Sequence, residues 1–300
     1  MNNTCFIITG PTAAGKTALA IELARTFRTD IISADSRQCY RELNIGVAKP
    51  SEEERRLVKH YFINSHSIHD EVNAAVFEQY ALQAVRTIFQ SQPVAVMVGG
   101  TGLYIKAFCE GIDDIPPVSP AIRDAIIARY EQHGISWLQQ QVREADPLYY
   151  ASGEVSNPQR LIRALEVMQG TGKSIRHYQQ GKKITRDFTI VKIGLELSRE
   201  NLHRNISNRV DQMMEQGLLQ EVQGLIRWRH LNALQTVGYS ELFNYFDGHC
   251  TLQEAVDAIK THTRQYAKRQ MTWFRKDPDI HWFSPENLQE IIDYAQSNVH

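Results

Sequence analysis

The sequence predicts an α/β fold, a parallel β-sheet flanked by helices with a helical domain inserted into it. Three observations carry this. Short apolar segments alternate with helical patterns through the first third of the 300 residues, as in parallel sheets covered on both faces. Gly10–Thr17 reads GPTAAGKT and matches the phosphate-loop pattern G-x-x-x-x-G-K-[ST], with an apolar run before it and an amphipathic stretch after it. A strand pattern then returns at Thr189–Leu197, beyond a long helical stretch. Together they define a P-loop NTPase-like core carrying an insertion.

Taken in order, Thr4–Thr9 is an apolar run ending at Gly10 and reads as the first strand. Lys16–Phe27 places Leu19, Leu23 and Phe27 on one stripe, the spacing of a helix. Ile31–Ser33 is the next strand, Ala74–Phe89 a helix, and the wholly apolar Val94–Val98 a strand ending at Gly99-Gly100. Three prolines in the nine residues Ile112–Pro120 mark a rigid bend. The pattern from Ala121 to about Gln169 is helical, and Gly170–Asp187 is a polar, basic loop. In Thr189–Leu197, Val191, Ile193 and Leu195 alternate as in a strand. Residues 113–187 therefore read as a helical insertion in a core formed by 1–112 and 188–300. Ser198–Lys276 is mostly helical.

Hydrophobic residues make up 42% of the chain and charged ones 22%, enough apolar surface for a sizeable core and unlike disordered or fibrous chains. Lys plus Arg number 33 and Asp plus Glu 34, a net charge of -1, so any nucleic-acid partner must be announced by local clustering. Cys5, Cys39, Cys109 and Cys250 form no C-x-x-C pair, which argues against a zinc or redox motif and suits a reducing compartment. His60, His66 and His69 lie close together without a helix-spaced carboxylate and read as structural or surface residues. The N-terminus has no signal-peptide pattern and no stretch approaches the roughly 18 apolar residues of a membrane helix, so a cytoplasmic protein without membrane association is expected.

The chemistry begins at the phosphate loop, a general nucleotide-binding and ATP-binding device. Its glycines let backbone N–H groups turn around phosphate oxygens at a helix N-terminus, Lys16 adds a full charge, and the Thr17 hydroxyl can hold Mg²⁺. The same loop serves phosphoryl transfer or the neutralisation of a departing diphosphate. The second strand ends in Asp35-Ser36-Arg37-Gln38, facing the loop across the crevice at the strands' carboxyl ends. Asp35 reads as a general base, a magnesium-associated acid, or a turn cap. The strand Val94–Val98 ends in Gly99-Gly100-Thr101-Gly102, with no acid in the place a Walker-B Asp takes, and Thr101 either donates to a leaving oxygen or caps the next helix. Lys260–Lys276 holds six Lys or Arg and no acid, with Tyr266, Trp273 and Phe274 interleaved, and Lys260, Arg264, Lys268 and Arg275 share a helical stripe. Such a stretch is either an RNA-binding face or a solvated charged face over buried aromatics. Lys173–Lys192 adds a second cluster of six Lys or Arg with one Asp. Arg209 is either a two-oxygen phosphate fork or a surface arginine.

These blocks bring a resemblance. GPTAAGKT at 10–17, SADSRQCY at 33–40, IGVAKP at 45–50 and GGTGLYIKA at 99–107 resemble the isopentenyl-tRNA transferase (tRNA dimethylallyltransferase) family. So do NPQRLIRALEV at 157–167, NRVDQMMEQGLLQEV at 208–222, LQTVGYSEL at 234–242 and HTRQYAKRQMTWFR at 262–275. Ala14 stands where the family usually has Ser, and Val47 where it usually has Thr. The resemblance implies transfer of the dimethylallyl group from dimethylallyl diphosphate to the exocyclic N6 amine of the adenosine just 3′ of the tRNA anticodon, with Mg²⁺ and without ATP, by a monomer.

By the same resemblance, Gly10, Pro11, Thr12, Ala13, Ala14, Gly15, Lys16 and Thr17 bind diphosphate, Thr17 also holding the metal. Asp35 is the base, and Lys16, Thr101 and Arg209 stabilise the leaving group. The tRNA contacts implied are Asp35, Ser36, Arg37, Gln38, Thr101, Arg123, Gln159, Arg160, Leu161, Ile162, Arg163, Gln235, Gly238, Tyr239, Lys268, Arg269, Gln270, Trp273 and Arg275, and the insertion would grip the anticodon stem-loop. A P-loop kinase, or a nucleotide-regulated RNA-binding protein without chemistry, would share the phosphate loop.

Overall fold

The computed structural model describes residues 3–179, 181 and 183–299; Gln180 and Lys182, inside the basic 173–192 segment, lie outside the described residues. The chain divides into two compact units, Met1–Glu110 with Thr185–His300, and Gly111–Ile184.

The larger unit opens with β1 (Thr4–Thr9), α1 (Lys16–Phe27), β2 (Ile31–Ser33), α2 (Glu52–Leu57), β3 (His60–Tyr61), α3 (Ala74–Phe89), β4 (Val94–Val98) and α4 (Gly102–Glu110). The smaller unit holds α5 (Pro120–Ala145), α6 (Pro147–Ser152), α7 (Pro158–Thr171) and α8 (Ile175–Tyr178). The larger unit resumes with β5 (Thr189–Leu195), α9 (Arg199–Glu215), α10 (Leu218–Leu225), α11 (Tyr239–Phe246), α12 (Leu252–Phe274), β6 (Ile280–Phe283) and α13 (Leu288–Ser297).

The strands form one sheet in the order β3-β2-β4-β1-β5-β6, and every pairing is parallel. All strands therefore end on the same edge, which gathers the loops after β1, β2 and β4 there. The two-residue alternation of β1 splits the core. Cys5 and Ile7 face a cluster that includes Phe77 of α3, Phe108 of α4, Leu218 of α10 and Ile259 of α12. Phe6 and Ile8 face Leu19 and Leu23 of α1 and Ile291 of α13. Both sheet faces are covered, so β1 is buried along its whole length.

The structure amends several sequence expectations. The strand at 189 ends at Leu195, two residues short of Leu197. The edge strands β3 and β6 are additional. The stretch 121–169 is broken at Gly134, whose φ of 75° interrupts α5, and again before Pro147 and Pro158, each of which opens a new helix. The segment 170–187 is not wholly loop, since it contains α8. Nor is the basic cluster a free patch. Arg186 donates to the Phe108 and Ala107 carbonyls at 2.7 and 3.0 Å and pairs with Glu78 at 2.6 Å, while Lys192 pairs with Asp277 at 2.7 Å.

The inserted unit packs Ile126, Leu138, Val142, Tyr149 and Leu165 around a core of its own. Asn157 caps α7 by accepting from the Gln159 and Arg160 N–H groups. Glu166, almost buried, accepts from Arg123 at 2.8 Å and Arg163 at 2.7 Å. Two guanidiniums on one carboxylate leave this cluster with a net positive charge. Among the described residues, no helix is long and apolar enough to cross a membrane.

Candidate active site

A cavity of about 770 Å³ opens at the carboxyl edge of the sheet in the larger unit. Its walls include the phosphate loop from Thr12 to Thr17, Asp35–Gln38, Gly99-Gly100, Arg209, the 235–241 turn, and Tyr266, Arg269 and Gln270 of α12. The volume is that of a small-molecule site.

The phosphate loop leaves β1 at Gly10, φ 136°, where a side chain would sit 2.5 Å from the Leu195 carbonyl oxygen. It enters α1 at Gly15, φ 86°. Ala13 also lies in the left-handed region, φ 63°. The chain thus bends around a concavity at the α1 N-terminus, whose first N–H groups have no helical partner.

Lys16 Nζ donates to the Pro11 carbonyl at 2.6 Å. Burial and the neighbouring Arg209 pull its pKa from 10.5 down to about 7, with Asp35 opposing. Burial also lowers the pKa of Arg209, again opposed by Asp35. Two basic side chains facing one carboxylate give this end of the cavity the chemistry to receive an anion.

Asp35 closes a turn, one of the three roles that the sequence left open. Its Oδ1 accepts from the Arg37 and Gln38 N–H groups at 2.8 and 3.3 Å, closing the turn after β2. Among the described residues its Oδ2 has no hydrogen bond and remains available as a proton acceptor. Thr101 stands at the helix start, the second of its two sequence readings. Its carbonyl accepts from Tyr104 and Ile105 at the start of α4, while its Oγ1 accepts from Ser36 N–H at 3.1 Å. The phenol of Tyr266 lies against the same hydroxyl, and burial pushes the Tyr266 pKa up to about 12.

Gly99 lets the two segments meet. A β-carbon there would lie 2.1 Å from the Ala34 carbonyl oxygen. Gly99→Ala is therefore expected to cost about 1–3 kcal/mol of stability, read as a lower midpoint in thermal or urea unfolding. It also pushes Asp35 away from Thr101, so activity of the folded fraction should drop as well.

Gln38 is committed to the scaffold. Its Oε1 accepts from Ser33 Oγ at 3.0 Å, and its Nε2 donates to the Val47 and Ala48 carbonyls at 3.3 and 3.0 Å. Glu221 of α10 accepts from Ile45 and Gly46 N–H and from the Tyr239 hydroxyl. Thus α10 holds both the 44–48 segment and the start of α11. Sequence reading missed Glu221 although it lies in the 208–222 block, because its partners at 45, 46 and 239 are distant in the chain or in another block.

Among the residues expected to contact RNA, Ser36, Arg37, Gln235, Gly238 and Arg269 line the cavity. Lys268, Arg269 and Arg275 are exposed on and just beyond α12, and Trp273 is exposed beside Gly102. In the inserted unit, Arg123 holds Glu166 and Gln159, and Arg160 pairs with Glu154 at 2.8 Å. Four of the residues expected to contact RNA have buried side chains. Leu161 and Ile162 belong to the inserted unit's core, Tyr239 is buried against Glu221, and Gln270 is buried with both ends of its amide bonded inside the protein. The expected basic stripe also divides. Lys260 pairs with Asp211 at 2.6 Å and Arg264 donates to Ser207 at 2.9 Å, so both fasten α12 to α9.

The residues present fit Mg²⁺. The Thr17 side chain, without a hydrogen bond among the described residues, lines the cavity together with Asp35, and these are hard oxygen donors. They are too few to form a cage, and Mg²⁺ commonly completes its shell with phosphate oxygens and water.

The all-parallel sheet, the phosphate loop on its first strand and the carboxylate facing it define a P-loop-type α/β enzyme with an inserted helical unit. A family model described as IPP transferase matches residues 38–277. The chain belongs to the IPP transferase family. It is 48% identical over 300 residues to the tRNA dimethylallyltransferase of Christiangramia forsetii, covering 100% of this chain and 99% of that one. It is 43% identical over 299 residues to the Cytophaga hutchinsonii enzyme of the same name, covering 100% and 98%. Among solved structures, the tRNA isopentenylpyrophosphate transferase of Bacillus halodurans superimposes with a TM-score of 0.73 at 33% identity, covering 99% of this chain and 97% of that one. A eukaryotic dimethylallyltransferase acting on tRNA gives a TM-score of 0.79 at 25% identity, covering 98% and 77%.

Proposed function

We propose that the protein transfers the dimethylallyl group of dimethylallyl diphosphate to the exocyclic N6 of the adenosine 3′-adjacent to a tRNA anticodon, releasing diphosphate. The observation that carries the reading is the pairing, in one cavity, of a cationic phosphate loop with a carboxylate that keeps one oxygen free. A departing anion needs the first and an attacking amine the second.

An adenine amine is a weak nucleophile, whereas an allylic diphosphate ionises readily once its leaving group is stabilised. Catalysis therefore rests on holding the diphosphate and aligning the amine. The C1–O bond breaks with its electron pair going to the diphosphate, and N6 forms the new bond to C1. N6 then loses its proton to Asp35 Oδ2. The loop N–H groups, Lys16 and Arg209 receive the developing charge, and the Thr101 hydroxyl, which accepts from Ser36 and shares a hydrogen bond with the Tyr266 phenol, turns to donate to the bridging oxygen. Mg²⁺, held by Thr17 and the diphosphate oxygens, would neutralise further charge on the leaving group. The target base must leave its stack, at a cost of a few kcal/mol. The exposed Lys268, Arg269, Trp273 and Arg275 offer phosphate and stacking contacts, and Arg160 and Arg163 of the inserted unit supply phosphate contacts to the anticodon stem-loop. The protein works in the cytoplasm as a monomer.

The test uses labelled dimethylallyl diphosphate and γ-labelled ATP in parallel, each with bulk tRNA. Label should enter tRNA from the first alone, and mass spectrometry of digested tRNA should show N6-dimethylallyl-adenosine. Label entering only from ATP would replace this reading with a kinase.

A further inference from the structure

The phosphate loop is fastened from outside by two side chains. Gln270 of α12 accepts from the Thr12 N–H through Oε1 at 2.8 Å and donates through Nε2 to the Gly100 carbonyl at 2.9 Å. Asn205 of α9 donates through Nδ2 to the Ala13 carbonyl at 3.2 Å. The residue between these anchors, Ala13, has φ 63°, a conformation that non-glycine residues adopt at a cost. Gly100 makes room for the clamp, because a β-carbon there would lie 2.1 Å from Gln270 Nε2. Gln270 itself is buried, so its amide serves the interior.

We infer that Gln270 and Asn205 are positioning residues that set the left-handed turn at Ala13 before any ligand arrives, so that the anion nest is built in advance. Neither touches the reacting atoms. Thr12 spends its N–H on Gln270, which leaves the N–H groups beyond it to face the anion. Without the clamp, Ala13 relaxes toward an ordinary backbone conformation and the nest must be re-formed at the expense of binding. The inference rests on reading the nest as a diphosphate site.

The experiment titrates the full-length protein with inorganic diphosphate and Mg²⁺ by calorimetry and measures KM for each substrate. Gln270→Met keeps the bulk beside Gly100 and removes both hydrogen bonds. Asn205→Ala tests the other anchor should the first variant fail to fold. Each is expected to weaken diphosphate binding roughly tenfold, the scale of one lost buried hydrogen bond, and to raise KM for dimethylallyl diphosphate while leaving KM for tRNA unchanged. The decisive arm adds Ala13→Gly. Glycine takes the left-handed conformation freely, so it should restore most of the affinity lost in either background. General damage to the fold would not be repaired by glycine at that position. Variants that bind diphosphate as tightly as the unaltered protein, or a loss that glycine does not repair, would overturn the clamp. An unaltered protein that binds no diphosphate would instead overturn the functional reading beneath it.

Discussion

Asp35→Asn is expected to lower the turnover of prenyl transfer by about 10²–10⁴, the usual contribution of a positioned general base. The substitution is chosen for what it preserves. The amide oxygen can still accept from the Arg37 and Gln38 N–H groups, so the turn after β2 stays closed. The free Oδ2 becomes an amide nitrogen that cannot take a proton. Binding of tRNA should be nearly unchanged, and KM for dimethylallyl diphosphate should not rise, because a negative charge near the anion nest has been removed. Asp35→Ala should lose the same turnover and, in addition, about 1 kcal/mol of stability from the opened turn. Single-turnover rates, filter binding of tRNA and thermal unfolding separate these effects. Turnover of Asp35→Asn within tenfold of the unaltered protein would remove Asp35 from the role of base, and a matching loss of tRNA binding would make it a recognition residue.

What the sequence revealed and what it concealed divide along contact distance. GPTAAGKT is a local object, in which the strand, the loop and the helix that make the nest are adjacent in the chain. β1, β2 and β4 were legible because burial on both faces makes them apolar but for Thr4, Thr9 and Ser33 at the strand ends. β3, with two half-buried residues, and β6, whose buried Ile280 and Phe283 flank an exposed His281 and a half-buried Trp282 at the sheet edge, carry no such signature. The clamps were hidden for a different reason. Gln270 meets Thr12 across 258 positions, Asn205 meets Ala13 across 192, and Glu221 meets Ile45 across 176. Only the folded chain juxtaposes them. Burial within the inserted unit was hidden in the same way. Leu161 and Leu165 are spaced i, i+4 on α7, so the side of the NPQRLIRALEV block that carries Leu161 faces the core, whereas Gln159 and Arg160 stay exposed. A block match conveys which residues travel together and leaves open which of them point outward.

Lys16→Met is expected to reduce turnover by about 10²–10³, the scale of one donor to a developing anion. Its effect on stability should run with pH in the opposite sense to its effect on function. In the unliganded fold, burial and Arg209 bring the Lys16 pKa down to about 7, against 10.5 for a free lysine. Between those two values the unfolded chain holds a proton that the folded chain has released, so the stability of the unaltered protein rises with pH across that window. Below pH 7 both states are protonated and the unfavourable buried charge persists in full. Methionine has no proton to exchange, so the stability difference, variant minus unaltered, should be largest near pH 6 and shrink steadily toward pH 10. The lost hydrogen bond to the Pro11 carbonyl shifts that curve by about 1 kcal/mol without changing its slope, and the slope is therefore the diagnostic. Diphosphate should restore the proton to Lys16. Calorimetric titrations above pH 7, in buffers of different ionisation enthalpy, should thus show proton uptake by the unaltered protein beyond that of Lys16→Met, and affinity falling as pH rises. A pH-independent stability difference together with equal proton uptake would mean that Lys16 stays charged in the empty nest, and the cavity would then hold its positive charge permanently rather than acquire it with the anion.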